Sequence, residues 1–379
     1  MLPAKARQRH FDIHCGASVG AINTAFMAAT AHNLEFQGTQ IRRLWEEVRE
    51  GDIYRRDNRA LIDFITKTGK GVILNLFRKP EARTKHFNGF LDTSPFLPFI
   101  QRVIPWPMIS KNIRSGLISA ISIVATNVFT GRMELFIEKD PAVDYTGDHV
   151  AHVTPIQPLH VLASAALPII FPTVMLDGVS YTDGGLRLNT PMSPAIQLGA
   201  DSILVIGLHH HAQPGEKIPE HGVKGKPPAM GEVLGRVMNS IFLDRIQYDI
   251  EQLGRINRLI DWSEMLYGPS YISDLNEMLR SKKISGDIAN RGLKRLKVMR
   301  IRPSEDIGEI FAQCYRANRQ EHFTSFEKFL VRVLDIDPAG GIDFLSYLTF
   351  MPEYLKKLLD LGFEDARRQH NELVDLLEN

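Results

Sequence analysis

The sequence is poor in cysteine, balanced in charge and without a long apolar run. Its 2 cysteines, Cys15 and Cys314, are too few for a disulfide framework, so a reducing compartment is expected. Lys and Arg number 45 against 44 Asp and Glu, a net charge of +1, and this balance makes no case for nucleic acid as a partner. Residues 1–10, MLPAKARQRH, hold no apolar core of the kind a signal peptide needs. The longest apolar stretch, residues 161–176, is short of a membrane span and is broken by Pro168 and Pro172. A cytoplasmic protein without a transmembrane helix is therefore expected. The 379 residues, 44% hydrophobic and 23% charged, suffice for one large domain with an extension or for two domains.

What is present begins at FDIHCGASVGAIN, residues 11–23. Phe11, Ile13 and Cys15 alternate with Asp12 and His14, the period of a strand. Gly16 and Gly20 flank Ser18 at two residues either side, and an Ala-rich helical pattern follows over 21–32. Strand, Gly-X-Ser-X-Gly turn and helix together make the context of a nucleophile elbow. There a strained turn presents the serine at the strand's carboxyl end, with glycines removing side chains that would collide. The helix start offers unpaired N–H groups and the positive end of its dipole to an oxyanion.

Further along, 33–115 reads as an irregular helical region, with helical spacing in 41–50 and 59–68 and a proline-punctuated helix over 93–108. Apolar residues are dense there, among them Val72, Ile73, Leu74, Leu76, Phe77, Phe87, Phe90, Phe96, Phe99, Ile104 and Trp106. Between 41 and 114 there are 15 Lys and Arg against 8 Asp and Glu, which suits peripheral contact with an anionic lipid surface. Core-facing apolar stripes with solvated basic faces are the plainer reading. Residues 117–137 read as a hairpin around Thr130-Gly131. The segment 155–172 starts as a helix and must end near Pro168. Val179–Thr182 is β-prone and runs into Asp183-Gly184-Gly185, then a helix over 191–198. SILVIGLH, 202–209, reads as a strand buried on both faces. Strands and helices alternate to residue 211, which argues for a layered α/β core with a mostly parallel sheet. From 213 the composition changes. A Pro/Gly/Lys-rich loop over 212–228 precedes a long helical stripe over 229–265, one more strand near 296–302, and a mainly helical remainder with a turn at 338–341.

A serine hydroxyl needs a base beside it. Asp183, at a strand end and followed by two glycines, is one candidate. His209, His210 and His211 offer another, in a Ser-Asp-His order, and imidazole is well matched to neutral pH. On the residues alone both stay open. The three histidines read as a polar loop end and not as a metal site, because adjacent imidazoles cannot all turn to one ion. Neither a metal nor any cofactor is expected, and Cys15 reads as a small buried side chain.

GASVG, with DGG 165 residues after its serine in DGVSYTDGGLRLNTPMSPAIQLGAD and ASAALPIIFP ahead of it, resembles the patatin-like phospholipase family. The resemblance is specific over 11–32 and 117–209 and weak over 33–115. Beyond 230 the chain is similar to the helical extension of some bacterial members. It implies a three-layer patatin-like core over 1–212, mainly helical sequence over 213–379, and hydrolysis of phospholipid or other acyl-ester lipids by a Ser-Asp dyad. Carried over, Ser18 matches the nucleophile, Asp183 the base and Val19 N–H one oxyanion donor. Gly16 and Gly20 match the elbow glycines, and Gly184 and Gly185 support the base loop. The family's opening strand and glycine-rich oxyanion loop have no counterpart, since Gly16 is the first glycine. That implies an N-terminally shortened product or a gene model started too late, weakly active or inactive as it stands, or a non-catalytic scaffold that binds lipid or protein.

Overall fold

The computed structural model describes residues 9–55, 89, 91–186, 191–208, 210, 246–282, 292–317 and 345–378. The expected helix at 59–68, the apolar residues Val72, Ile73, Leu74, Leu76, Phe77, Phe87 and Phe90, His209 and His211, the segment 212–245 and the turn at 338–341 lie outside the described residues.

The alternation at 11–17 becomes strand β1 (Ile13–Ala17), and the Ala-rich segment becomes helix α1 (Val19–Thr30). Helix α2 (Leu34–Glu47) follows, opened by Asn33, whose side chain accepts the Phe36 N–H at 3.0 Å. Helices α3 (Phe96–Val103) and α4 (Pro107–Arg114) come next, with Pro107 at a helix start where its missing N–H costs nothing. The hairpin is formed by β2 (Ala120–Asn127) and β3 (Met133–Lys139), with β4 (Val150–Val153) beyond it. Helix α5 (Pro158–Ser164) stops four residues short of Pro168. Strands β5 (Val174–Leu176) and β6 (Val179–Asp183) form a second hairpin. Its turn residues Asp177 and Gly178 have φ of 48° and 82°, the two positive angles of a tight hairpin turn.

Among the described residues the main sheet has six strands, in the order β4-β3-β2-β6-β5 with β1 also on β2. Its pairings are mostly antiparallel: β2 runs opposite to β3 and to β6, and β5 opposite to β6. Among the described residues of this sheet, β1·β2 and β3·β4 are the parallel pairs. This corrects the expectation of a mostly parallel sheet. Two of the antiparallel pairs are hairpins, whose short turns cannot join parallel strands. Side chains alternate across the sheet. Ile121, Ile123, Ala125 and Phe136 face a large core shared with α1, α3, α4 and α5, whereas Ala17, Ala120, Val124, Leu135 and Ile137 face a small one. On the large-core side, buried Glu134 of β3 accepts hydrogen bonds from Tyr181 Oη at 2.6 Å and Asn127 Nδ2 at 2.7 Å, and lies 2.7 Å from His152 Nε2. This ties β6 across β2 to β3.

Helix α6 (Met192–Gln197) leads to β7 (Ser202–Ile206), which pairs in parallel with β8 (Lys297–Ile301) in a separate two-stranded sheet. Ile203 and Val205 are buried, but Ile206 and Leu208 are exposed, so this run is not covered on both faces as its composition suggests. A two-stranded ribbon has one packed face, here against Met192, Ile250 and Leu253. Helices α7 (Ile246–Tyr267) and α8 (Tyr271–Ser281) precede β8. After it, α9 (Ile307–Ala317) and α10 (Pro352–Arg368) send Phe311, Tyr315 and Tyr354 into the same core as α1, joined by Met351 just before α10. Helix α11 (His370–Glu378) ends the described chain.

Candidate active site

Strands β1 and β6 approach one another end to end along a single edge of β2. Ala17, the last residue of β1, lies opposite Val124, and Asp183, the last of β6, lies opposite Ala125. Adjacent register positions thus bring together two chain segments 165 residues apart. Ser18 Oγ donates to Asp183 Oδ2 at 2.6 Å. Two strands meeting head-on must both leave the sheet at once, and the glycines show how. A Cβ on Gly184 would fall 2.2 Å from the Val124 carbonyl oxygen, and one on Gly16 would fall 2.5 Å from the Gly20 carbonyl oxygen. Neither space admits a side chain. A Cβ on Gly20 meets nothing within 4 Å. The elbow therefore needs its first glycine for room, and its second is not required on that ground.

Ser18 sits at φ 54°, ψ −131°, in a region a non-glycine residue rarely occupies. It stands at the N-cap of α1, yet its side chain makes no bond to the helix, because the hydroxyl is committed to Asp183. Its N–H donates to Ser164 Oγ at 3.0 Å, and its carbonyl accepts the Ala21 N–H at 2.9 Å. The amides of Val19 and Gly20, in the first turn of α1, are the donors next to Ser18, at the positive end of the helix.

Asp183 is completely buried. Desolvation raises its carboxyl to about 7, against the opposing pull of the bonds from Ser18 and from Gly185 N–H, the latter 2.7 Å from Oδ1. Its backbone is anchored too: the Asp183 N–H donates to the Ala166 carbonyl at 2.9 Å, and Thr126 Oγ1 donates to the Asp183 carbonyl at 2.9 Å. No imidazole stands between the two residues. His210 Nδ1 lies 3.2 Å from the Pro303 carbonyl. His14, four residues before Ser18, is buried and pushed down to about 4 by desolvation, and Nε2 has no hydrogen-bond partner among the described residues. Cys15 is pushed up to about 12, so its thiol stays protonated. Among the described residues no group of three His, Cys, Asp or Glu could hold a metal ion, and no helix is long and apolar enough to cross a membrane.

Ser18, Val19, Gly20, Ala165, Leu167 and Phe171 line part of a cleft of about 2120 Å³. Sequence reasoning assigned no role to Ser164 or to the Ala166 carbonyl. The hints were a serine inside a run of alanines, Ala163 to Ala166, since small residues permit close backbone approach, and the place of that run in the family resemblance.

A serine on a strained strand-to-helix turn, bonded directly to a buried carboxylate beside a large cleft, is the kind of site a serine hydrolase uses. Residues 4–196 match the family model described as Patatin-like phospholipase, and the chain belongs to that family. Membership implies a lipid acyl hydrolase. No curated protein matches the chain. The crystal structure of VipD from Legionella pneumophila is similar at 12% sequence identity and a TM-score of 0.24, over 91% of this chain and 61% of that one. The chain thus spans under two thirds of that protein, and a likeness so distant carries no argument about function.

Proposed function

We propose that the chain is a lipid acyl hydrolase of phospholipase A or lysophospholipase type that works through a Ser18–Asp183 dyad and an acyl-enzyme. The observation that carries this reading is the 2.6 Å bond from Ser18 Oγ to Asp183 Oδ2. Asp183, near pH 7, is poised to take the Ser18 proton as Oγ attacks the ester carbonyl. The oxyanion leans on the Val19 amide and the start of α1. The alcohol or lysolipid leaves with that proton. Asp183 then takes a proton from water, whose oxygen attacks the acyl carbon. As the Oγ–acyl bond breaks, Asp183 returns the proton to Ser18 Oγ and the fatty acid is released. The cleft is larger than most small-molecule sites, and Leu167 and Phe171 give it apolar wall for an acyl chain. We place this chemistry in residues 1–212 and read 213–379 as the helical extension. Membrane contact through 41–114 would rest on its basic side chains in the described part, since Phe96, Phe99, Ile100 and Ile104 are spent in the core.

The test is labelling by a fluorophosphonate, which reacts with an activated serine. The chain should label at Ser18, and Ser18→Ala should not label. Labelling that persists in Ser18→Ala ends the proposal.

A further inference from the structure

Both members of the Ser18–Asp183 pair are hydrogen-bonded to one short segment, Ser164 to Ala166. Ser164 Oγ accepts the Ser18 N–H at 3.0 Å. Two residues on, the Ala166 carbonyl accepts the Asp183 N–H at 2.9 Å and the Thr182 hydroxyl at 2.8 Å. We infer that Ser164 is a positioning residue: its hydroxyl pins the elbow backbone so that Ser18 Oγ is held against Asp183. The inference rests on the dyad reading above and adds a residue to it.

The physical case starts from the elbow's conformation. Backbone held at φ 54°, ψ −131° is strained for a non-glycine residue and persists only where its surroundings over-determine it. The Ser18 side chain cannot help, because it is bonded to Asp183. The backbone has two other handles. Its carbonyl is held by Ala21 N–H, within the same helix. Its N–H is held by Ser164, which belongs to a different element. Ser164 is completely buried, so water has no access to replace its oxygen. Without that oxygen the Ser18 N–H loses its partner.

The second half of the case is covalent. Ser164 and Ala166 are two residues apart, so the elbow and the end of β6 are fastened to one rigid stretch of chain. Sliding β1 against β6 would break a bond to one or the other. Ala163, Ala165 and Ala166 leave the room for this close approach. Ala165 lines the cleft and Ser164 does not, so Ser164 acts through Ser18 and does not meet the substrate.

The experiment compares the full chain with Ser164→Ala on a soluble aryl ester, and by rate of fluorophosphonate labelling. Misplacing a nucleophile by about 1 Å can cost about 100-fold. We expect kcat and labelling rate to fall together by about 10- to 100-fold, with KM within about twofold. Thr30→Val is the control. It removes another buried hydroxyl bond of α1, from Thr30 Oγ1 to the Phe26 carbonyl at 2.7 Å, and should lower stability without lowering kcat. Ser164→Thr keeps the accepting oxygen and should recover most of kcat. Wild-type kcat in Ser164→Ala, or a loss no greater than that of Thr30→Val, overturns the inference. Should Ser164→Ala not yield folded protein, Ser164→Cys, with a weaker acceptor, carries the same comparison, and wild-type kcat there overturns it equally. Labelling lost in Ser18→Ala but unchanged in Ser164→Ala removes the positioning role and leaves the dyad. Labelling retained in Ser18→Ala removes both.

Discussion

Helices α1 and α7 are both legible as apolar helices, and they end in opposite situations. In α1, Ala21, Ile22, Thr24, Ala25, Phe26, Ala28, Ala29 and Thr30 are all buried. In α7, Ile260 is buried and Ile250 and Leu253 pack on the β7–β8 ribbon, but Leu259, Trp262, Met265, Leu266 and Tyr267 are exposed among the described residues. Side-chain size explains the contrast. Alanines on several faces of α1 let the sheet, α2, α4 and α5 approach from different directions. Large side chains along α7 fit one shallow ribbon, whose small face covers a few of them. The proposed Ser18–Asp183 dyad meets at the start of the closely packed helix, where small residues permit the close approach.

The largest effects should come from the dyad itself. Asp183→Asn should lower kcat by about 10²–10⁴-fold, the usual worth of a general base. The same variant should gain stability relative to wild type as pH rises. Burial holds the Asp183 carboxyl near 7, above its ordinary 3.8, so the folded protein keeps a proton that the unfolded chain releases. Wild-type stability from this group is full below pH 3.8 and is lost as pH rises through about 7, by about 1.4 kcal/mol for each unit between. Asparagine has no such dependence. Thermal unfolding at pH 5 and pH 8 should show the variant's relative stability growing between the two, and a constant difference would remove the perturbed carboxyl from the account.

The pH dependence of the reaction follows from the same group with the opposite sense. Asp183 must be unprotonated to act as a base, so kcat/KM should be flat above about 7 and fall about tenfold per pH unit below it. A profile flat down to pH 5 would be incompatible with Asp183 as the base.

Next come the glycines of the two motifs, which set packed ground against open ground. Gly184→Ala drives a Cβ to 2.2 Å from a backbone oxygen that cannot step aside. It should cost about 1–3 kcal/mol or more, with loss of activity as β6 shifts. Gly16→Ala should behave alike. Gly20→Ala meets nothing within 4 Å and lies in a helix, so it should unfold at or above the wild-type temperature. Equal destabilisation by all three would undo the distinction between them. The smallest effect belongs to α7. Leu266→Lys on its exposed face should change stability by no more than about 0.5 kcal/mol. A loss several times larger would show that this face is covered.

Much of this was written locally in the chain. The alternation at 11–15, the spacing of Gly16, Ser18 and Gly20, and the Ala-rich run after them specify strand, turn and helix without reference to distant residues, because each rests on short-range sterics and side-chain period. Asp183-Gly184-Gly185 marks a turn for the same reason, and the family pattern names its partner. The direction of β3 against β2 was legible from the hairpin around Thr130-Gly131, but that of β6 was not, since a period of two is identical in parallel and antiparallel strands. That β6 runs against β2 and meets β1 end to end is settled by register along one shared edge. Only that meeting puts Ser18 Oγ within 2.6 Å of Asp183, buries the carboxyl until it titrates near 7, and brings Ser164 beneath the elbow. Hydrogen bonds and desolvation depend on where atoms lie in space, and segments 165 residues apart acquire that relation only when the sheet forms.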